Sequence, residues 1–111
     1  MKVSTAVIEY LIDIEVRKFT PKTIRSYRNN LNLFLRFCEE EADVTEIEDV
    51  SLAVVRQFSR FMSERGKKGS YINGLLKVAK AFIQYCHEEG YGGFNTRKNF
   101  KWCKQDKAVI L

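Results

Sequence analysis

Residues 20–38, TPKTIRSYRNNLNLFLRFC, restrict the fold more than any other part of the chain. Thr20 is a strong N-cap, and Pro21 suits the first helical position, where a missing N–H costs nothing. From there Ile24, Tyr27, Leu31, Phe34, Leu35 and Cys38 recur at steps of three and four, which at about 100° per residue places them on one side of a helix. Lys22, Arg25, Asn29, Asn32 and Arg36 fall on the other side without a carboxylate among them. This helix needs a core on one flank and offers a row of donors on the other.

The same periodicity continues along the chain. A first helix is expected over residues 4 to 18, with Ser4 as a candidate cap and Val7, Tyr10, Leu11 and Ile14 facing inward. Ile8, Ile12 and Val16 form a second apolar row there, either packed or offered to something outside the fragment, and the packed alternative is the expectation. A third helix is expected over Leu52 to Glu64, capped by Ser51 or Asp49 and closed by Gly66, with Val54, Val55, Phe58, Phe61 and Met62 inward. A Phe and Met stripe at this spacing is core rather than a ligand site. The turn RGKKGS leads to a fourth helix over Tyr71 to Glu89, with Ser70 as N-cap and Gly90 as terminator. Its polar side, Asn73, Lys77, Lys80 and Gln84, again lacks a carboxylate.

With 111 residues, 45% hydrophobic content, one Pro and six Gly, the chain suits one compact all-α domain. The expected division is a four-helix bundle over residues 1–93, with room for a short extra helix, and a basic tail or linker over 94–111. Phe94, Phe100 and Trp102 anchor the first part of that tail, and its last residues are expected to be disordered. The formal net charge is +5, yet half of the acidic residues lie between Glu39 and Asp49. That stretch is expected to fray from the second helix into a solvated connector, and the rest of the chain is correspondingly more basic.

Catalysis and metal binding find no footing in these residues. His87 is the only histidine, and Cys38, Cys86 and Cys103 have no zinc-ligand spacing. No phosphate-binding glycine loop or recognisable carboxylate pair is present, so the fragment is expected to be no enzyme, with no cofactor and no metal. Cys38 and Cys86 read as buried hydrophobes of a reducing compartment. Two amphipathic helices whose polar faces carry Lys, Arg, Asn and Gln suit phosphates and base edges of double-stranded DNA. A charged outer face is also common on long helices, but the segregation of the acids elsewhere favours the DNA reading.

Thr20-Pro21-Lys22-Thr23-Ile24, Tyr27, Leu31, Phe34 and Phe37, then Phe58 and Phe61, then Ser70-Tyr71-Ile72-Asn73, Leu75 to Tyr85 and Glu89-Gly90-Tyr91 with Asn95, follow a recognisable order. In this the chain resembles the N-terminal core-binding, SAM-like domain of tyrosine recombinases or phage-type integrases, most of all those of Bacteroides-type mobile elements. The resemblance implies one half of a C-shaped clamp on the recombination site, followed by a separate catalytic domain whose tyrosine attacks the scissile phosphate. It implies DNA contacts from Lys22, Thr23, Arg25, Ser26 and Asn29, and from Lys67, Lys68, Ser70, Tyr71, Asn73, Lys77 and Lys80. Asn95-Thr96 departs from the Asn-Pro of many relatives, and Gly74 replaces a longer side chain.

The implied partners are double-stranded DNA, the catalytic domain of the same polypeptide and neighbouring recombinase subunits, in a bacterial cytoplasm at the nucleoid. Membrane binding is not expected, because four helices can bury their apolar faces against one another. The alternative is a helical protein-interaction module whose basic faces dock an acidic partner.

Overall fold

Four helices follow one another with short connections: α1 (Val3–Val16), α2 (Pro21–Glu40), α3 (Leu52–Glu64) and α4 (Gly69–Glu88). The computed structural model describes residues 1–98, 100 and 102. The all-α expectation holds, and among the described residues the only β-type pairing is an isolated bridge between Lys2 and Glu46.

That bridge decides where α1 begins. Val3 N–H donates to the Thr45 carbonyl at 2.8 Å, and Ile47 N–H donates to the Met1 carbonyl at 2.8 Å. The pairing sets Lys2 as N-cap, with no side-chain cap, so Ser4 lies inside a helix that starts earlier than the pattern suggested and ends at Val16 rather than residue 18. The same pairing overturns the picture of a fraying, solvated acidic connector. Val44, Ile47 and Val50 alternate with the acids and are buried, and a 3₁₀ turn forms at Ile47–Asp49. The carboxylates of Asp43, Glu48 and Asp49 face water while the aliphatic residues between them complete the core.

The caps of α2 and α3 follow the sequence. Thr23 N–H donates to Thr20 Oγ1 at 3.2 Å, and Val54 N–H donates to Ser51 Oγ at 3.3 Å, which selects Ser51 over Asp49. At their C-termini, α1, α3 and α4 close with the same two-bond motif. Gly66 N–H donates to Ser63 O and Lys67 N–H to Met62 O; Gly90 N–H donates to His87 O and Tyr91 N–H to Cys86 O. In α1 the left-handed position is held by Lys18 at φ 66°, with Phe19 N–H donating to Ile14 O.

The core is built from aromatic contacts at two levels. Phe34 and Phe37 of α2 meet Phe58 of α3 with ring centroids 5.1 and 5.3 Å apart. Tyr10 of α1 meets Tyr85 and Phe82 of α4 at 5.1 and 5.9 Å, and Tyr27 of α2 at 6.4 Å. Cys38 and Cys86 are buried free thiols, as expected. Ile8, Ile12 and Val16 are not packed: they are 58, 51 and 72% exposed, because α1 turns Val3, Ala6, Val7, Tyr10 and Ile14 inward instead.

The segment after α4 returns across the bundle. Gly92, at φ +129°, passes so close to the 3₁₀ turn that a Cβ there would lie 3.0 Å from Ile47 Cγ2 and Glu48 N. Thr96 is buried and bonded to Gln84 of α4, while Phe94 and Phe100 pack partly buried against the core. The expectations for Cys103 and for a disordered end lie outside the described residues.

Candidate nucleic-acid interface

Two grooves fix how α2 and α4 run. At one end Leu33, Arg36 and Phe37 of α2 share a cavity of about 310 Å3 with Phe61 of α3, its C-cap residue Arg65, and Tyr71 near the start of α4. At the other end Tyr27, early in α2, shares one of about 360 Å3 with Ala81, Gln84 and Tyr85, late in α4. The helices are therefore antiparallel neighbours. On α2 the sector next to α4 carries half-buried Asn30 and Leu33 and exposed Ser26; on α4 the facing sector carries Ala81 and exposed Gly74. The outward faces of the two helices adjoin across this seam.

That surface carries Lys22, Ser26 and Asn29 along the first half of α2, Lys77 midway along α4 and, at the opposite end, Ser70 in the first turn of α4, all exposed. Arg25 is exposed as well, but at about 100° per residue it sits further round α2, on the flank away from α4. Thr23 is half-buried at the cap. The Thr20 and Thr23 hydroxyls are hydrogen-bonded to each other, Oγ1 to Oγ1 at 2.9 Å.

The α3–α4 turn adds Lys67 and Lys68, both exposed, with the Lys67 ammonium 5.6 Å from the centre of the Tyr71 ring. Ser70 is not the N-cap. Ile72 N–H donates to the Lys68 carbonyl, which makes Lys68 the cap residue and places Ser70 second in the helix. The reason is that Gly69 and Ser70 already have helical backbone, so the Ser70 hydroxyl has no capping role. Its N–H belongs instead to the first-turn amides that lack an intrahelical acceptor, where the helix dipole favours an anion. Asn73 is half-buried on the flank of α4 away from α2.

Lys80 stands apart from the others. Its ammonium lies 5.6 and 5.3 Å from the rings of Phe100 and Trp102, so it faces the returning tail rather than the seam. The pair of rings and the lysine tie the tail to α4 beside Thr96.

Three further cations were not among the expected contacts. Arg28 is exposed on α2, Arg36 pairs with Glu40 at 3.8 Å, and Arg65 stacks on Phe61 at 4.3 Å. Arg65, Lys67 and Lys68 flank the left-handed Gly66, and the run RGKK was the signal that marked Arg65. From Pro21 to Cys38 and from Arg65 to His87 no Asp or Glu occurs, and among the described residues Arg36, paired with Glu40 at the end of α2, is the one cation of these two helices with an ion pair inside its own helix.

The groove at the other end is chemically different. Tyr10, Tyr27 and Tyr85 line it with Asp13, Glu88 and Glu89, and burial pushes the phenols of Tyr10 and Tyr85 up, the latter with help from a hydrogen bond with Tyr91. The phenols stay neutral, and two of the three carboxylates are paired, Asp13 with Arg17, which lines the same groove, and Glu88 with Arg97. Among the described residues no group of His, Cys, Asp and Glu is arranged to hold a metal, and no helix is long and apolar enough to cross a membrane.

Neither characterised proteins nor solved structures give a match to the chain. A family model does match: phage integrase, N-terminal SAM-like domain, over residues 7–90, from within α1 to the glycine that ends α4. With four helices in a bundle of that kind and the match spanning most of its length, the chain belongs to the phage integrase N-terminal SAM-like domain family.

Proposed function

We propose that this domain grips double-stranded DNA as one half of a recombinase clamp and positions it for strand exchange by a separate catalytic domain of the same polypeptide. The observation that carries the reading is the antiparallel packing of α2 and α4, which sets the carboxylate-free runs 21–38 and 69–87 side by side on one surface. Lys22, Lys67, Lys68 and Lys77 neutralise phosphates, with Arg25 reaching from the flank. Thr23, Ser70 and the first amides of α4 hold phosphate oxygens, Asn29 and Asn73 read base edges, and Tyr71 packs against the sugar-phosphate backbone. Lys80 acts through the tail, where its ring contacts orient the segment leading out of the bundle. Cleavage belongs to residues this fragment does not contain, and neighbouring recombinase subunits are its further partners.

Fluorescence anisotropy on duplex DNA tests this. Four to six phosphate contacts imply an affinity loss of roughly 10²–10³-fold between 50 and 200 mM salt. Lys77→Glu combined with Arg25→Glu should abolish the binding. A folded chain with no duplex affinity at low salt, or one indifferent to both substitutions, rejects the reading; affinity for an acidic polypeptide but none for DNA favours the protein-docking alternative.

A further inference from the structure

Among the described residues the exposed row on α1 is the one large aliphatic patch on a surface otherwise dominated by charge. Ile8, Ile12 and Val16 are spaced four apart and more than half exposed, with exposed Thr5 extending the row toward the start of the helix. Among the described residues the other large exposed hydrophobics are Met1, Tyr71 and Trp102, scattered over three other places. The opposite side of α1 is fixed in the core by Val3, Ala6, Val7, Tyr10 and Ile14, so the row sits on a rigid ledge that needs no ordering before it meets a partner.

Charge identifies the partner. In a protein of net charge +5 the surface of α1 reverses sign. At about 100° per residue Glu9 and Asp13 flank the row on one side and Glu15 flanks it on the other. Asp13 is paired with Arg17 at 3.4 Å, while Glu9 and Glu15 form no ion pair among the described residues and can meet cations from outside. A second copy docked by two-fold symmetry about Ile12 would set Glu9 of one copy against Glu15 of the other, twice, and like charges across such a seam disfavour pairing.

We propose that α1 docks an amphipathic helix of another polypeptide whose aliphatic stripe is flanked by Lys or Arg. The aliphatic side chains of that helix cover Ile8, Ile12 and Val16, and its cations meet Glu9 and Glu15. The contact uses the acidic side of the domain, so it leaves the α2–α4 surface free and does not depend on what that surface binds.

The test uses the 111-residue chain and two synthetic helices with the same leucine stripe, one flanked by lysines and one by glutamates, read by titration calorimetry. The lysine-flanked helix should bind about tenfold or more tighter than the other. Ile12→Asp should remove that binding without altering the thermal melt, and the double variant Glu9→Lys with Glu15→Lys should reverse the preference between the two peptides. Equal affinity for both peptides, binding of neither, or binding indifferent to Ile12→Asp overturns the proposal. So does sedimentation showing that the chain dimerises through Ile12, or cross-linking that places residues 103–111 of the chain itself on the stripe.

Discussion

The backbone N–H and the hydroxyl of Thr96 both donate to Oε1 of Gln84, at 2.7 and 3.0 Å, and so lock the segment leaving α4 back onto the last quarter of that helix. Thr96 is 1% exposed, so neither donor can turn to water instead. Gln84→Ala should destabilise the chain by about 1–3 kcal/mol in urea denaturation, the cost of stranding a buried donor. Gln84→Glu keeps the acceptor oxygen and should cost less; equal losses for the two would show that the hydrogen bonds are not what matters.

Lys18 occupies the left-handed position that glycine holds at the ends of α3 and α4. Lys18→Gly should raise stability by up to about 1 kcal/mol, since an L side chain there costs roughly 1–2 kcal/mol. At Gly66 a Cβ meets nothing within 4 Å, so Gly66→Ala should lose only that conformational term, whereas Gly92→Ala adds a clash with Ile47 and the Glu48 backbone and should lose more. Thermal melts of the three variants order them.

Ser51 and Ser70 should respond in opposite ways. Ser51→Ala removes the α3 cap and should cost about 1 kcal/mol with no change in duplex affinity. Ser70→Ala, exposed within the first turn of α4, should leave the melt in place and weaken DNA binding.

Burial pushes the thiols of Cys38 and Cys86 up to about 12. In a Cys103→Ser chain both should resist alkylation at pH 8 until denaturant is added. The thiols are held protonated in the folded state while the unfolded chain releases its protons from about pH 9, so their contribution to stability is complete below that pH and falls as pH rises toward 12. Urea midpoints between pH 8 and 11 should decline, and less steeply in Cys38→Ala.

Within the proposed interface, Lys77→Ala should weaken binding evenly across sequences and reduce the salt slope by about one. Asn29→Ala should instead flatten discrimination among sites by about 1–3 kcal/mol at one base position, with the salt slope unchanged. Both are read by competition against a set of duplexes.

Most of the bundle was legible because its signals are local. Thr20-Pro21, Ser51, Gly66 and Gly90 each announce a helix end by their own chemistry, and the three-four spacing assigned the inward side chains of α2, α3 and α4. The misreadings share a cause, which is that distant backbone intervened. The start of α1 was set by Thr45, more than 40 residues away, and the acidic stretch gained its order from the same pairing. Lys18 carries no glycine to mark its turn. Ile8, Ile12 and Val16 have a helical spacing that suits a core or an exposed seam equally, and only the position of α1 on the bundle decides between them. For the interface, residue types were legible, but the adjacency of α2 and α4, the turning of Lys80 toward Phe100 and Trp102, and the place of Arg65 on Phe61 depend on packing.

Ile47 joins the two ends of this domain. It is fully buried, its N–H holds the first residue of the chain, and Gly92 of the outgoing segment rests against its side chain and the next amide. Incoming and outgoing threads thus meet at one knot on the bundle wall. In a longer polypeptide, a pull from beyond this segment would load the Thr96–Gln84 bonds of α4 first, and only when those gave way would it reach the knot and, through it, the first residues of the chain.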